Sequence, residues 1–263
     1  MNRIDFKFKE LKEQGKKVLI PFVTAGDPSL DTTVNIVLEM DKRGADIVEI
    51  GIPYSDPLAD GPIIQASSQR AIEGGAKIKN IMETIRKIRE RSEIPLVYLV
   101  YYSSIFKYGV ESFISEASAA GINGIIIPDL PIEERGDIMG IAVKYEVHLI
   151  PLVAPTSKRR IQEITAGGSG FVYCVSKNGV TGVGEKIKTD IKEYMELVGS
   201  YTELPKALGF GISGPSMARE FKSYCDGIII GSAIIDIIDK CRGEKEILDK
   251  VGNFISEVKK SLE

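Results

Sequence analysis

The stretch DIVEIGIPYSDPLADGP (46–62) runs from a short branched apolar segment into a loop stiffened by three prolines, and it sets a glutamate, Glu49, inside the apolar segment. Such a run, apolar at successive positions and stopped by Gly and Pro, reads as a strand buried on both faces. Downstream, KIKNIMETIRKIRER (77–91) spaces Ile78, Ile81, Ile85 and Ile88 three or four residues apart, on one helical face. Strand, turn-rich loop and amphipathic helix form one unit, and the unit recurs eight times. The other candidate strands are VLIPFV (18–23), PLVYLVY (95–101), GIIIP (124–128), HLIPLV (148–153), GFVYCV (170–175), PKALGF (205–210) and DGIII (226–230). The last helix repeats the spacing with Ile247, Val251, Phe254, Val258 and Leu262. Buried strands alternating with helices call for right-handed crossovers and a parallel sheet. Eight units in 263 residues predict an α/β fold closed into a (β/α)8 TIM barrel, with an extra N-terminal helix and a short phosphate-binding helix after the eighth strand. An open doubly wound sheet is the competing arrangement. No linker, low-complexity tract or composition shift divides the chain, so residues 1–263 are read as a single barrel domain.

Composition removes several function classes. With 34 basic and 37 acidic residues there is no charge excess to attract a nucleic-acid backbone or an anionic membrane. Cys174, Cys225 and Cys241 form no C-x-x-C and are too few for a disulfide framework, which suits a reducing cytoplasm. The N-terminal segment scatters charge through its apolar positions, and no uncharged run approaches the roughly 18 residues of a membrane span. A soluble, unprocessed cytoplasmic protein is expected. The only histidine, His148, falls at the start of the fifth strand, on the rim away from the strand C-termini. Without a second His or a Cys cluster there is no transition-metal site and no Ser-His-Asp arrangement.

Two connections after strands are longer than the usual few residues: Ile52 to about Gly61, and SKNGVTGVGEK (176–186). Either alone would read as a surface loop, but two at the C-terminal rim of a barrel mark the end where active sites are built. Strand alternation puts Ile47, Glu49 and Gly51 on one face and Val48 and Ile50 on the other, so Glu49 points into the barrel near this mouth. Desolvation there raises a carboxyl pKa toward the range useful for proton transfer. A Glu tied to a structural Arg or Lys is the alternative, and no basic residue ends a neighbouring strand. The same alternation turns Phe22, Thr24, Leu99, Tyr101, Phe171 and Tyr173 inward; the aromatics could line a flat apolar pocket, though each alone reads first as core filling. Cys174 alternates outward.

GFGISGPS (209–216) follows the seventh strand and GSAI (231–234) the eighth. Glycines let backbone N–H groups approach an anion, and a helix N-terminus adds free donors and the positive end of its dipole. One segment alone would be a plain glycine turn. Together they occupy the common phosphate site of barrels and predict a phosphorylated ligand.

Across nearly its whole length the chain resembles the tryptophan synthase α subunits. The resemblance is carried by PFVTAGDPS (21–29), EIGIPYSDPLADGPIIQ (49–65), IPDLPIEE (127–134), GVTG (179–182), GFGIS (209–213) and GSAI (231–234), with SDPLADGP the most specific of them. It implies a retro-aldol lyase that splits indole-3-glycerol phosphate into indole and glyceraldehyde 3-phosphate. By the same resemblance Glu49 is the principal acid/base and Asp60 assists at the indole nitrogen. Phe22, Leu99, Tyr101, Tyr173 and Phe210 surround the indole and glycerol groups, and Gly182, Gly211, Gly231 and Ser232 hold the phosphate. Thr181 closes toward Asp56, and Asp56 and Pro57 serve loop closure and partner contact. The implied partner is a pyridoxal-phosphate β subunit in an αββα heterotetramer, with no cofactor or metal in this chain.

The family pattern has Tyr-Asn-Pro, or at least an Asn, where this chain has Tyr102, Ser103 and Ser104. That departure bears on the partner contact. Three other readings stay open: another phosphate-binding barrel enzyme, a Schiff-base aldolase, and a non-catalytic regulatory subunit that binds a phosphorylated indole. The first gives no reason for SDPLADGP. The second needs an inward lysine, whereas Lys177 is in a loop and Lys206 begins its strand at the wrong end.

Overall fold

A computed structural model describes residues 1–175, 190–209 and 211–263. Among them are nine strands: β1 (Val18–Thr24), β2 (Val48–Gly51), β3 (Leu96–Leu99), β4 (Gly124–Ile126), β5 (His148–Leu149), β6 (Leu152–Val153), β7 (Val172–Val175), β8 (Lys206–Gly209) and β9 (Gly227–Ile230). The pairs are parallel, in the order β5-β4-β3-β2-β1-β9-β8-β7-β6. The two outermost strands, β5 and β6, are consecutive in the chain, and only Ile150 and Pro151 separate them.

The single fifth strand expected over 148–153 is therefore two short ones. Pro151 has no N–H to donate to a ladder, so strand pairing changes partner around it. Ile150 N still donates to Ile125 O of β4 at 3.0 Å, while Pro151 O accepts from Tyr173 N of β7 at 2.9 Å. The first half of this segment bonds to β4 and the second half to β7, which closes the sheet into the expected (β/α)8 barrel.

Alternation sorts the strand side chains into two layers. Ile20, Ile47, Val97, Ile126, Ile150, Phe171, Ala207 and Ile229 belong to one apolar cluster in the barrel interior. Val48, Ile50, Tyr98, Ile125, Cys174, Leu208 and Ile228 belong to the other, packed under the helices. Ile4, Phe8 and Leu11 of the helix Arg3–Glu13 join the interior cluster, so the extra N-terminal helix closes the floor of the barrel. The Asn2 side chain accepts from Ile4 N at 3.0 Å and caps that helix, and the ring of Phe8 lies 5.4 Å from that of Phe171. Close approach is required at the floor: a Cβ on Gly124 would fall 2.8 Å from Ile150 Cδ1 and 3.0 Å from Ile4 Cδ1. Truncating Phe8 to Ala should leave a cavity there and reduce stability by about 3–5 kcal/mol, read as a lower urea midpoint with unchanged slope. An unchanged midpoint would mean that the helix adds nothing to the core.

The helix Ile78–Arg89 buries Ile81, Ile85 and Ile88 as its periodicity requires. In the final helix, Glu244–Leu262, the buried apolar residues are Ile247, Val251, Ile255, Val258 and Leu262. Phe254 was expected in that stripe but is only partly buried, because four steps from Val251 bring Ile255, not Phe254, back to the core face. The helix Pro62–Glu73 begins on a proline at its first position, where the missing N–H costs no intrahelical bond. His148 Nε2 lies 2.8 Å from Asp5 Oδ1 of the floor helix, remote from the C-terminal rim, and Cys174 is buried on the outward face. Among the described residues no helix is long and apolar enough to cross a membrane.

Candidate active site

Glu49 sits mid-strand in β2, in register with Phe22 of β1 and Val97 of β3. Its neighbours Val48 and Ile50 pack outward, so the carboxyl is directed into the barrel interior. It is 1% exposed, and its Oε2 has no hydrogen-bond partner among the described residues. Burial chiefly, and the nearby Asp60 charge second, push its pKa from the ordinary 4.5 up to about 8.

Residues 52–61 form neither strand nor helix and are held over the mouth by hydrogen bonds from both sides. Within the loop Leu58 N donates to Asp56 O and Asp60 N to Pro57 O, both at 3.0 Å. From the β3 side, the Tyr101 hydroxyl accepts from Ala59 N at 3.0 Å, and Tyr54 stacks on the Tyr101 ring at 4.9 Å. Ser103 Oγ donates to the Tyr54 hydroxyl at 2.8 Å. From the following helix, Gln65 Nε2 donates to Asp60 O at 2.8 Å. These contacts leave Asp56 exposed and Pro57 half-buried on the outer edge, and they turn Asp60 inward, where it is buried. Burial raises the Asp60 pKa to about 6, against a hydrogen bond from Tyr101 that lowers it.

Phe22 lies flat against two glycines that leave it room. A Cβ on Gly51 would be 2.6 Å from its Cζ, and one on Gly231 would be 3.3 Å from its Cδ1. Tyr173 is buried beside Gly209, and its hydroxyl is kept protonated by burial and by the charges of Glu49 and Asp60. Leu99 is partly buried in the same interior layer. Thr24, in register with Gly51, is buried, and its hydroxyl has no partner among the described residues. The structure thus gathers Glu49, Asp60, Phe22, Leu99, Tyr101 and Tyr173 at one mouth. Tyr54 and Gln65 were not foreseen, since neither a stacking partner nor a side-chain bond to a loop carbonyl shows in a linear pattern.

At the other side of the mouth, Gly231 directly follows β9 and caps the helix Ser232–Asp239, with Ser232 as the first helical residue. Gly211 follows β8 with φ +80°, a backbone setting that favours glycine. Phe210, Thr181 and Gly182, with the loop Ser176 to Lys186 and its Lys177, lie outside the described residues. Among the described residues no three His, Cys, Asp or Glu side chains gather as a metal site.

Closed parallel barrel, carboxylates at the C-terminal mouth and a glycine-capped helix after the last strand define a (β/α)8-barrel enzyme of the phosphate-binding kind. The sequence profile described as Tryptophan synthase alpha chain matches residues 8–263. The Tryptophan synthase alpha chain of Clostridium kluyveri is 92% identical over 263 residues, covering 100% of both chains. That of Caldanaerobacter subterraneus subsp. tengcongensis is 60% identical, again over 100% of both. The crystal structure of tryptophan synthase subunit alpha from Legionella pneumophila superposes with a TM-score of 0.90 at 33% identity, over 100% of this chain and 98% of that one. The chain belongs to the tryptophan synthase alpha chain family. Its activity is that subunit's carbon–carbon lyase reaction, the cleavage of indole-3-glycerol phosphate to indole and glyceraldehyde 3-phosphate in tryptophan biosynthesis.

Proposed function

We propose that Glu49 and Asp60 carry this cleavage between them. The supporting observation is a pair of buried carboxyls whose surroundings separate their pKa values, to about 8 for Glu49 and about 6 for Asp60. Near neutrality Glu49 then holds a proton while Asp60 is ionised, the division of labour that acid/base pairs need. Glu49 gives its proton to C3 of the indole ring, which makes the ring an electron sink. The resulting carboxylate takes the proton of the hydroxyl on the carbon bonded to C3. That carbon becomes the aldehyde, the electrons of the broken carbon–carbon bond return to the ring, and Glu49 ends protonated as it began. Asp60 accepts the indole N–H and stabilises the positive charge that develops there on C3 protonation.

Phe22, Leu99, Tyr101, Tyr173 and Phe210 enclose the indole and glycerol portions. Gly182, Gly211, Gly231 and Ser232 hold the phosphate, with the first amides of the helix Ser232–Asp239 as donors. Thr181 closes toward Asp56 over the bound substrate. One barrel domain over residues 1–263 performs the reaction in the cytoplasm without a cofactor of its own.

The partner is a pyridoxal-phosphate β subunit in an αββα assembly that takes up the indole. The rim bearing Asp56, Pro57, Ser103, Ser104 and the segment Asp129 to Pro131 faces it. Asp129 fixes this rim by accepting from Tyr102 N at 2.8 Å, and the large apolar side chains of Leu58 and Phe106 stand exposed close by, at 79% and 69%. Serines in place of Asn-Pro do not empty the rim, because Ser103 holds Tyr54. Incubating the pure protein with indole-3-glycerol phosphate, with and without β subunit, should release indole and glyceraldehyde 3-phosphate in equal amounts. No indole under either condition would overturn the proposal.

A further inference from the structure

Arg70 lies outside the mechanism above, yet its guanidinium joins three parts of the site. It projects from the helix Pro62–Glu73, which starts two residues after Asp60 and whose Gln65 holds the Asp60 carbonyl. Two of its nitrogens fork onto Asp27, Nε to Oδ1 at 3.0 Å and Nη2 to Oδ2 at 2.6 Å. The third, Nη1, reaches Asp239 Oδ1 at 2.8 Å. Asp27 is buried just beyond β1, the strand of Phe22 and Thr24, and also accepts from Ser67 Oγ. Asp239 is the last residue of the helix Ser232–Asp239, whose first turn adjoins Gly231.

We propose that Arg70 is a positioning residue that sets the separation of the two ends of the site, and so matches it to the length of a phosphorylated indole. The inference rests on the roles proposed for Asp60 and for Gly231 with Ser232. The helix that follows Asp60 and the helix that starts at the proposed phosphate end pack against each other, with Arg70 paired to Asp239 between them. A planar fork fixes direction as well as distance, which a single point charge does not. The Asp27 arm, being buried, supplies rigidity. The Asp239 arm is half-exposed and contributes little energy by itself, so its part is to set the angle of the phosphate helix. A purely structural role would consist of neutralising Asp27, and lysine could do that. Lysine cannot fork onto Asp27 and reach Asp239 together.

Arg70→Lys separates the two roles. Two uncleavable probes report on the site: glycerol 3-phosphate fills only the phosphate end, and indole-3-propanol phosphate, which lacks both side-chain hydroxyls, spans both. Misplacement of reacting groups by about 1 Å can cost about 10²-fold in rate, so kcat should fall by about 10- to 100-fold in Arg70→Lys with the melting temperature nearly kept. Indole-3-propanol phosphate should bind about 10-fold more weakly and glycerol 3-phosphate within about 2-fold of wild type, since only the spanning ligand needs both ends in register. Wild-type kcat, or equal loss of both probes, would overturn the inference. If Arg70→Lys does not fold, Asp239→Asn carries the test with a smaller loss, about 3-fold, confined to the spanning probe and to kcat. No selective loss in that variant would overturn it too. A wild-type protein that binds neither probe would instead refute the assignment of the two ends.

Discussion

Replacing Glu49 by Gln should lower the rate of indole-3-glycerol phosphate cleavage by about 10²- to 10⁴-fold and leave the barrel folded, because it removes a transferable proton without changing side-chain volume. The effect should fall on kcat, since the phosphate and ring contacts are untouched. A second consequence concerns stability. The folded-state pKa of Glu49 is raised from 4.5 to about 8, so between these values the native state holds a proton that the unfolded chain has released. Stability from this group is complete below pH 4.5 and is lost as pH rises through about 8. Gln does not titrate, so Glu49→Gln should gain on the wild type as pH rises and be the more stable protein at pH 9. Urea unfolding of both proteins at pH 5, 7 and 9 reads this directly. Parallel pH profiles for the two proteins would show that Glu49 is not a buried, raised carboxyl.

Asp60→Asn should be nearly as damaging, at about 10²- to 10³-fold in kcat, the scale set by removing one group aimed at charge developing in the transition state. The amide still fills the space but presents no negative charge to the indole N–H. Phosphate binding, proposed for the Gly231 and Ser232 side of the mouth, should persist, so glycerol 3-phosphate affinity should stay near that of wild type. Equal loss of rate and phosphate affinity would indicate collapse of the loop 52–61 instead. The wild type should also show a pH window in kcat/KM. Activity should rise as Asp60 ionises through about 6 and fall as Glu49 loses its proton through about 8. In Asp60→Asn the acidic limb should vanish while the alkaline limb remains.

The barrel was legible because each unit announces itself locally: an apolar run, a Gly or Pro stop, then helical spacing. The inward direction of Glu49 followed from the two-residue period of a strand and holds in register with Phe22 and Val97. The glycine-capped helix after the last strand was legible for a similar reason, since glycines after a late strand and a new helix form a local pattern. Pro151 was visible in HLIPLV, but its effect was not, because changing strand partner at a closure point depends on which strands flank it in space. Phe254 and Ile255 are adjacent and both apolar, so the stripe could be drawn through either until the helix was in place. Asp60 came from the resemblance and not from periodicity, since a loop side chain has no parity to orient it. Arg70 was out of reach altogether. Asp27 and Asp239 lie on separate elements far away in the chain, and only tertiary packing brings one guanidinium to both.

The proposed reaction starts from Glu49 holding a proton at neutral pH, buried in the barrel interior with its Oε2 unpartnered among the described residues. Infrared difference spectra of wild type against Glu49→Gln, recorded from pH 5 to 10, isolate the carbonyl stretch of that one protonated carboxyl. The band should be present at pH 6 and disappear with a midpoint near about 8. A Glu49 carboxylate already ionised at pH 6 would contradict the mechanism, because no proton would then be available for the indole ring.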